Sequence, residues 1–207
     1  MSELNALYEL ENEVTHVDPP IAVNYVKGDA TKPLVDPNPK AMRFLVHCCN
    51  DIGAWGAGFV LALSRAWPET ERAYKLWFEG LDTAYRVTGP AQLGEVQFVQ
   101  VANNIIVCNL IGQRSCGYTG SIPPVRYDAI RMGMAKIRLA MYGMEKIGFN
   151  CTFHSPRFGS DLAGGDWNVI ESIIVDIMGR TRIPSTVYDY APVTGVCDLP
   201  QTGGDCG

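Results

Sequence analysis

The chain has 207 residues, 47% of them hydrophobic and 19% charged, with a net charge of −5. That length and balance suit one globular domain with a sizeable core, and no apolar run is long enough for a membrane-spanning helix. The acidic balance argues against broad nucleic-acid binding. It does not argue against a small anionic ligand, because backbone N–H groups hold phosphate without any net positive charge.

Residues 1–20 read as an acidic arm without the basic-then-apolar order of a secretory signal, so a cytoplasmic address is expected. Short β-rich runs follow at 21–27 ("IAVNYVK") and 42–47 ("MRFLVH"). "WGAGFVLALSRAW" (55–67) is helical in composition, and Pro68 restarts a second helical piece through Phe78. "EVQFVQV" (95–101) and "NIIVCNLI" (104–111) read as a hairpin. Ile130, Met134, Ile137, Met141 and Met144 then keep to one helical face at three- and four-residue steps. A strand at 150–155, a helix carrying Trp167, Ile170, Ile174 and Ile177, and a strand at 185–190 close the set, before a loose tail at 191–207. About six strands alternating with helices imply an α/β fold, a three-layer α/β/α sandwich with a mixed sheet over residues 21–190.

Seven cysteines, with Cys48, Cys108 and Cys151 inside apolar runs, read as reduced thiols. No CxxC pair occurs. The neighbours His47, Cys48 and Cys49 alternate between strand faces, so no metal site is expected.

Two glycine-rich segments each link a strand to a helix. The first, Gly53-Ala54-Trp55-Gly56-Ala57-Gly58, has the spacing G-x-x-G-x-G, the reverse of the dinucleotide fingerprint. It also lacks the Gly-Lys-Ser/Thr ending of a nucleotide triphosphatase loop. Its uncovered backbone and following helix would suit a phosphate, or would merely let a helix pack closely; the loop alone does not separate the two. The second, "PRFGSDLAGGDWN" (156–168), repeats the arrangement with Gly159, Gly164 and Gly165. Two such loops at one sheet edge could grip both sides of a pyrophosphate. Asp29, after Gly28 at the first strand's end, is an acceptor-only carboxylate suited to an exocyclic amine, or an ordinary turn aspartate.

The stretches "VKGDAT" (26–31), "HCCNDIGAWGAGF" (47–59), "PPVRYDAI" (123–130) and "PRFGSDLAGGDW" (156–167) together resemble the macrodomain family of ADP-ribose binders. The first loop looks most like that of the ADP-ribose 1″-phosphate phosphatases. By this resemblance Asp29 would hold the adenine amine, with the Ala30 backbone beside it. Residues Trp55, Gly56, Ala57, Gly58 and Phe59, and Gly159, Ser160, Asp161, Leu162 and Ala163, would wrap the two phosphates. Asn50 would face the distal ribose, and Tyr188 or Tyr190 would border the adenine.

The implied reaction is hydrolysis of ADP-ribose 1″-phosphate by a monomer that needs no cofactor; the alternatives are a non-catalytic reader and hydrolysis of ADP-ribosyl or O-acetyl-ADP-ribose bonds. His47 is the natural acid or base, since an unperturbed imidazole titrates near neutrality; the alternative is a packed strand-end histidine. Asn50 and Asp161 complete the catalytic set, and Asp51 is a weaker candidate. One macrodomain branch removes ADP-ribose with a lysine after a central strand and an aspartate in the second loop. Here those places fall on Gly112-Gln113 and on Ala163, which argues against that chemistry.

Overall fold

The structure, a computed structural model, describes residues 19–32, 38–81 and 85–189. Most of the expected arm and all of the tail, with Tyr190, lie outside the described residues. Seven strands form one sheet: β1 (Asn24–Lys27), β2 (Ala41–Asn50), β3 (Arg86–Val87), β4 (Val96–Ala102), β5 (Ile105–Gln113), β6 (Asn150–Pro156) and β7 (Ser185–Asp189). Their order is β1-β7-β6-β2-β5-β4-β3. The first five in that order run parallel, while β4 and β3 are antiparallel additions, so the sheet is mixed as expected. The strand beyond the expected six is β3, two residues long and too short to leave a pattern in the sequence.

Helices cover both faces. On one, α3 (Tyr127–Lys146) and α4 (Trp167–Ile174, continued by a π-helical turn Val175–Gly179) pack Ile130, Met134, Ile137, Met141, Ile170 and Ile174 against Phe44, Val46, Cys108 and Leu110. On the other, α1 (Val60–Ala66) and α2 (Glu69–Phe78) place Leu63 and Ala73 against Leu45, Val99 and Val107, and Tyr74 and Trp77 against Cys49 and Ile111. The central strands β2 and β5 are buried on both faces, which is why they read as nearly unbroken apolar runs. Each fully buried Ile, Leu or Met contributes about 1.5–3 kcal/mol, so the α3 stripe alone is a large share of the stability.

Two boundaries differ from expectation. Strand β2 does not stop at His47. It stays paired with β5 to Asn50, through His47↔Asn109, Cys48↔Leu110 and Cys49↔Ile111. The helix expected from Trp55 starts only at Val60. Gly58 adopts φ +76°, a left-handed angle that a helix cannot contain, so 55–59 remains loop.

The contact between α3 and β5 is close. A Cβ at Gly133 would lie 2.6 Å from Leu110 Cγ. Gly133→Ala should therefore destabilise the protein by about 1–3 kcal/mol by overpacking, reversing the roughly 1 kcal/mol gain usual for this change inside a helix. Urea denaturation checks the sign.

Candidate ligand site at the carboxyl edge of the sheet

Because β1, β7, β6, β2 and β5 are parallel, their carboxyl ends share one edge, where Asp29, the 51–59 loop (loop 1) and the 157–166 loop (loop 2) emerge. From β1 to β2 this edge spans three strand spacings, roughly 14 Å, room for an elongated ligand rather than a single phosphate.

At the β1 end, Asp29 Oδ1 accepts from the Thr31 backbone N–H (2.9 Å) and the Thr31 hydroxyl (2.8 Å). Its Oδ2 takes no donor among the described residues, leaving an oriented carboxylate with one oxygen to offer. Ala30 is buried beside it, in one apolar cluster with Tyr188. Tyr188 does border this end, but its ring is buried and its hydroxyl is 2.9 Å from His154 Nδ1.

Loop 1 is shaped from within by Asn50. Its Oδ1 accepts from the N–H groups of Ile52 (3.1 Å) and Ala54 (2.9 Å), and its Nδ2 donates to the Ala54 carbonyl. The Asn50 backbone carbonyl in turn accepts from the Tyr74 hydroxyl of α2. The Asn50 oxygen is thus committed to the turn, while its NH₂ uses one of its two hydrogens on Ala54. Trp55 turns inward, donating from Nε1 to Ser64 Oγ (2.8 Å), with its ring 5.2 Å from that of Tyr74. Gly56, Ala57 and Gly58 are exposed, and among the described residues their N–H groups have no protein acceptor.

Loop 2 is closed by bonds from Gly165 N to the Gly159 carbonyl and from Gly164 N to the Asp161 carbonyl (both 2.9 Å). Val125 N holds it to the body through the Ala163 carbonyl (3.1 Å). The N–H groups of Ser160, Asp161, Leu162 and Ala163 have no protein acceptor among the described residues. The two loops meet: a Cβ at Gly58 would stand 3.3 Å from Leu162 Cδ1. Two loops, each with a row of N–H groups that lack a protein acceptor among the described residues, thus come together, an arrangement that suits a doubly anionic group. Asp161 is exposed at the tip of loop 2. Asp51 is committed to the segment after β5, accepting from Ser115 N at 2.7 Å.

His47 does not stand at the mouth of loop 1. It is 1% exposed, three residues inside β2, with Nε2 2.6 Å from Asn109 Oδ1. Burial pushes its imidazole down to about 4, against a smaller upward pull from the Asn109 hydrogen bond. A neutral, enclosed ring does not exchange protons with a ligand at the edge. The physical reason is the longer β2: pairing with β5 carries His47 beneath α1 and α2.

Several contributors carry only a weak signal in the sequence. Asn109 and Gln97, polar residues inside the apolar runs of β5 and β4, lie in register with His47 and with each other. That break in an apolar run was the available signal. Arg157, at the root of loop 2, lies over the rings of Tyr25 (4.8 Å) and Trp167 (5.2 Å) and pairs with Asp189, tying β1, β7 and α4 to the loop.

No family model matches the chain. It is 40% identical to a macrodomain protein from Streptomyces coelicolor, with a TM-score of 0.65 over 82% of this chain and 99% of that one. A Bacteroides thetaiotaomicron protein of unknown function gives 38% identity and a TM-score of 0.71, over 82% and 98%. The chain therefore belongs to the macrodomain family. Among curated relatives, mouse chromodomain-helicase-DNA-binding protein 1-like is 24% identical over 170 residues, 82% of this chain; the chain spans only 18% of that relative's length. The ADP-ribose 1″-phosphate phosphatase of Saccharomyces cerevisiae is 36% identical over 52 residues, 25% of this chain and 27% of that one.

The buried histidines set a pH dependence. His154 is also held down to about 4, by burial and by the nearby Arg43 charge. Both rings stay neutral in the folded protein but protonate in the unfolded chain below about 6.5. The unfolded state then binds more protons, so stability falls as pH drops from about 6.5 towards 4. At pH 5 the loss should be roughly 2 kcal/mol per histidine relative to pH 7.5. Denaturant titrations across this range should show it, and His47→Gln should remove about half of the slope.

Proposed function

We propose that the protein binds ADP-ribose along this edge and hydrolyses ADP-ribose 1″-phosphate to ADP-ribose and phosphate. The observation that carries the binding is the contact at Gly58 and Leu162 of two loops whose N–H groups lack protein acceptors among the described residues, with a half-free carboxylate, Asp29, further along the same edge. Asp29 Oδ2 would accept from the adenine amine, with Ala30 alongside. Residues 55–59 and 159–163 would wrap the pyrophosphate. The distal ribose would then lie towards β2 and β5.

The hydrolytic part is supported by the local similarity to the yeast phosphatase. Hydrolysis of a phosphate monoester needs a positioned water and an offset for the leaving group's charge. With His47 enclosed and the Asn50 oxygen committed to its turn, Asp161 is the carboxylate we assign to the water, and His47 and Asn50 support loop 1. Asp161 must face the ribose end, since a carboxylate aimed at two phosphates would repel them. A second reading, a binder without turnover, is favoured by the burial of His47. Removal of ADP-ribose by a lysine at the end of β5 gains nothing here: that place falls on Gly112, where a Cβ would stand 2.8 Å from Cys48 Sγ, and on Gln113, whose Nε2 donates to the Ser115 carbonyl.

Incubation with ADP-ribose 1″-phosphate should release phosphate, and Asp161→Asn should slow release by about 100-fold. Tight ADP-ribose binding with no phosphate release would instead establish the binder. In calorimetry, Asp29→Asn should weaken ADP-ribose binding about tenfold. An unchanged affinity would remove the adenine assignment.

A further inference from the structure

Three fully buried polar side chains cross the layer beneath α2 in a single line. His47 Nε2 meets Asn109 Oδ1 at 2.6 Å, Asn109 Nδ2 donates to Gln97 Oε1 at 2.9 Å, and Gln97 Nε2 donates to the Ala73 carbonyl at 2.9 Å. Gln97 and Asn109 are both 0% exposed. The far end dictates the rest. A backbone carbonyl can only accept, so Gln97 must turn its NH₂ towards Ala73 and its oxygen towards Asn109. Asn109 must then donate to Gln97 and show its own oxygen to His47. Reversing either amide would set two oxygens face to face without water to relieve them. Asn109 therefore requires a proton on His47 Nε2, and the neutral ring carries none on Nδ1. Cys49 Sγ lies 3.7 Å from both ring nitrogens and so does not distinguish them.

The ring fixed in this way is the seat of loop 1. The rings of Trp55 and Phe59 pack edge-on against it, at 5.6 Å and 87° and at 6.0 Å and 60°. These two residues bracket Gly56, Ala57 and Gly58, whose N–H groups form one of the two open rows. We propose that His47, oriented as its Nε2–H form by Asn109, Gln97 and the Ala73 carbonyl, is a positioning residue that fixes the anion-binding face of loop 1 from α2 without touching ligand. The ligand part of this inference rests on the ADP-ribose reading above; the part concerning the ring and the loop does not.

The test uses nitrogen-15 spectra and calorimetry on the whole chain. In long-range proton–nitrogen spectra, His47 should show a protonated Nε2 and a bare Nδ1, unchanged from pH 8 to 5.5. A protonated Nδ1, or a ring that titrates in this range, overturns the proposal. Asn109→Leu should shift the Trp55 indole and the Gly56 and Gly58 amides and weaken ADP-ribose binding about tenfold in the folded protein. A merely structural role would lower stability but leave these amides and the affinity in place. If Asn109→Leu does not fold, Gln97→Met breaks the line one link further on and should give the same shifts. Failure of the wild-type protein to bind ADP-ribose would sink the ligand reading alone, because the histidine form and the loop 1 shifts are read without ligand.

Discussion

Backbone N–H groups must find partners, and the parallel strands decide where the unpartnered ones collect. Five parallel strands send their outgoing loops to one edge, and loops 1 and 2 leave seven N–H groups of Gly56–Gly58 and Ser160–Ala163 without a protein acceptor among the described residues. Such groups are costly to bury unless something accepts from them, so they are stable only facing water or an anion. The chain has a net charge of −5, so an anion proposed for this edge would be drawn by local dipoles rather than by the protein's overall field.

Open loops hold a shape only if something behind them is rigid. For loop 1 that support is α2. Its Tyr74 hydroxyl takes the Asn50 carbonyl, its Ala73 carbonyl ends the polar line from His47, and its Phe78 ring lies against Gly53. Loop 2 is held by Val125, by its own Gly165 to Gly159 bond, and by Arg157 wedged between Tyr25 and Trp167. Each row of N–H groups is thus backed by a different helical layer, and the two loops come together at Gly58 and Leu162.

The layer architecture was legible in the sequence because β2 and β5 are apolar runs of strand length and α3 carries clear helical periodicity, and the glycine loops because their backbone freedom is written in residue type. What was not legible depended on partners distant in the chain. The end of β2 could not be read from "HCCN", because pairing with β5 rather than local propensity carries it to Asn50. That shift of three residues moves His47 from a loop mouth to the core, changing its reading from proton donor to support. Asn50 does stand at loop 1, but its oxygen is held by the Ile52 and Ala54 N–H groups, a geometry that no residue type discloses. Gln97 and Asn109 left a faint mark, as polar residues where apolar ones would pack. Only the register joins them to His47.

The proposed function requires this edge to be one continuous ligand site. Titrating ADP-ribose into nitrogen-15-labelled protein and following the amide spectrum tests that most directly. The shifts should concentrate in three separate stretches, 29–31, 55–59 and 159–163, and should saturate together at one affinity. Shifts confined to a single stretch, or centred elsewhere on the molecule, would contradict it.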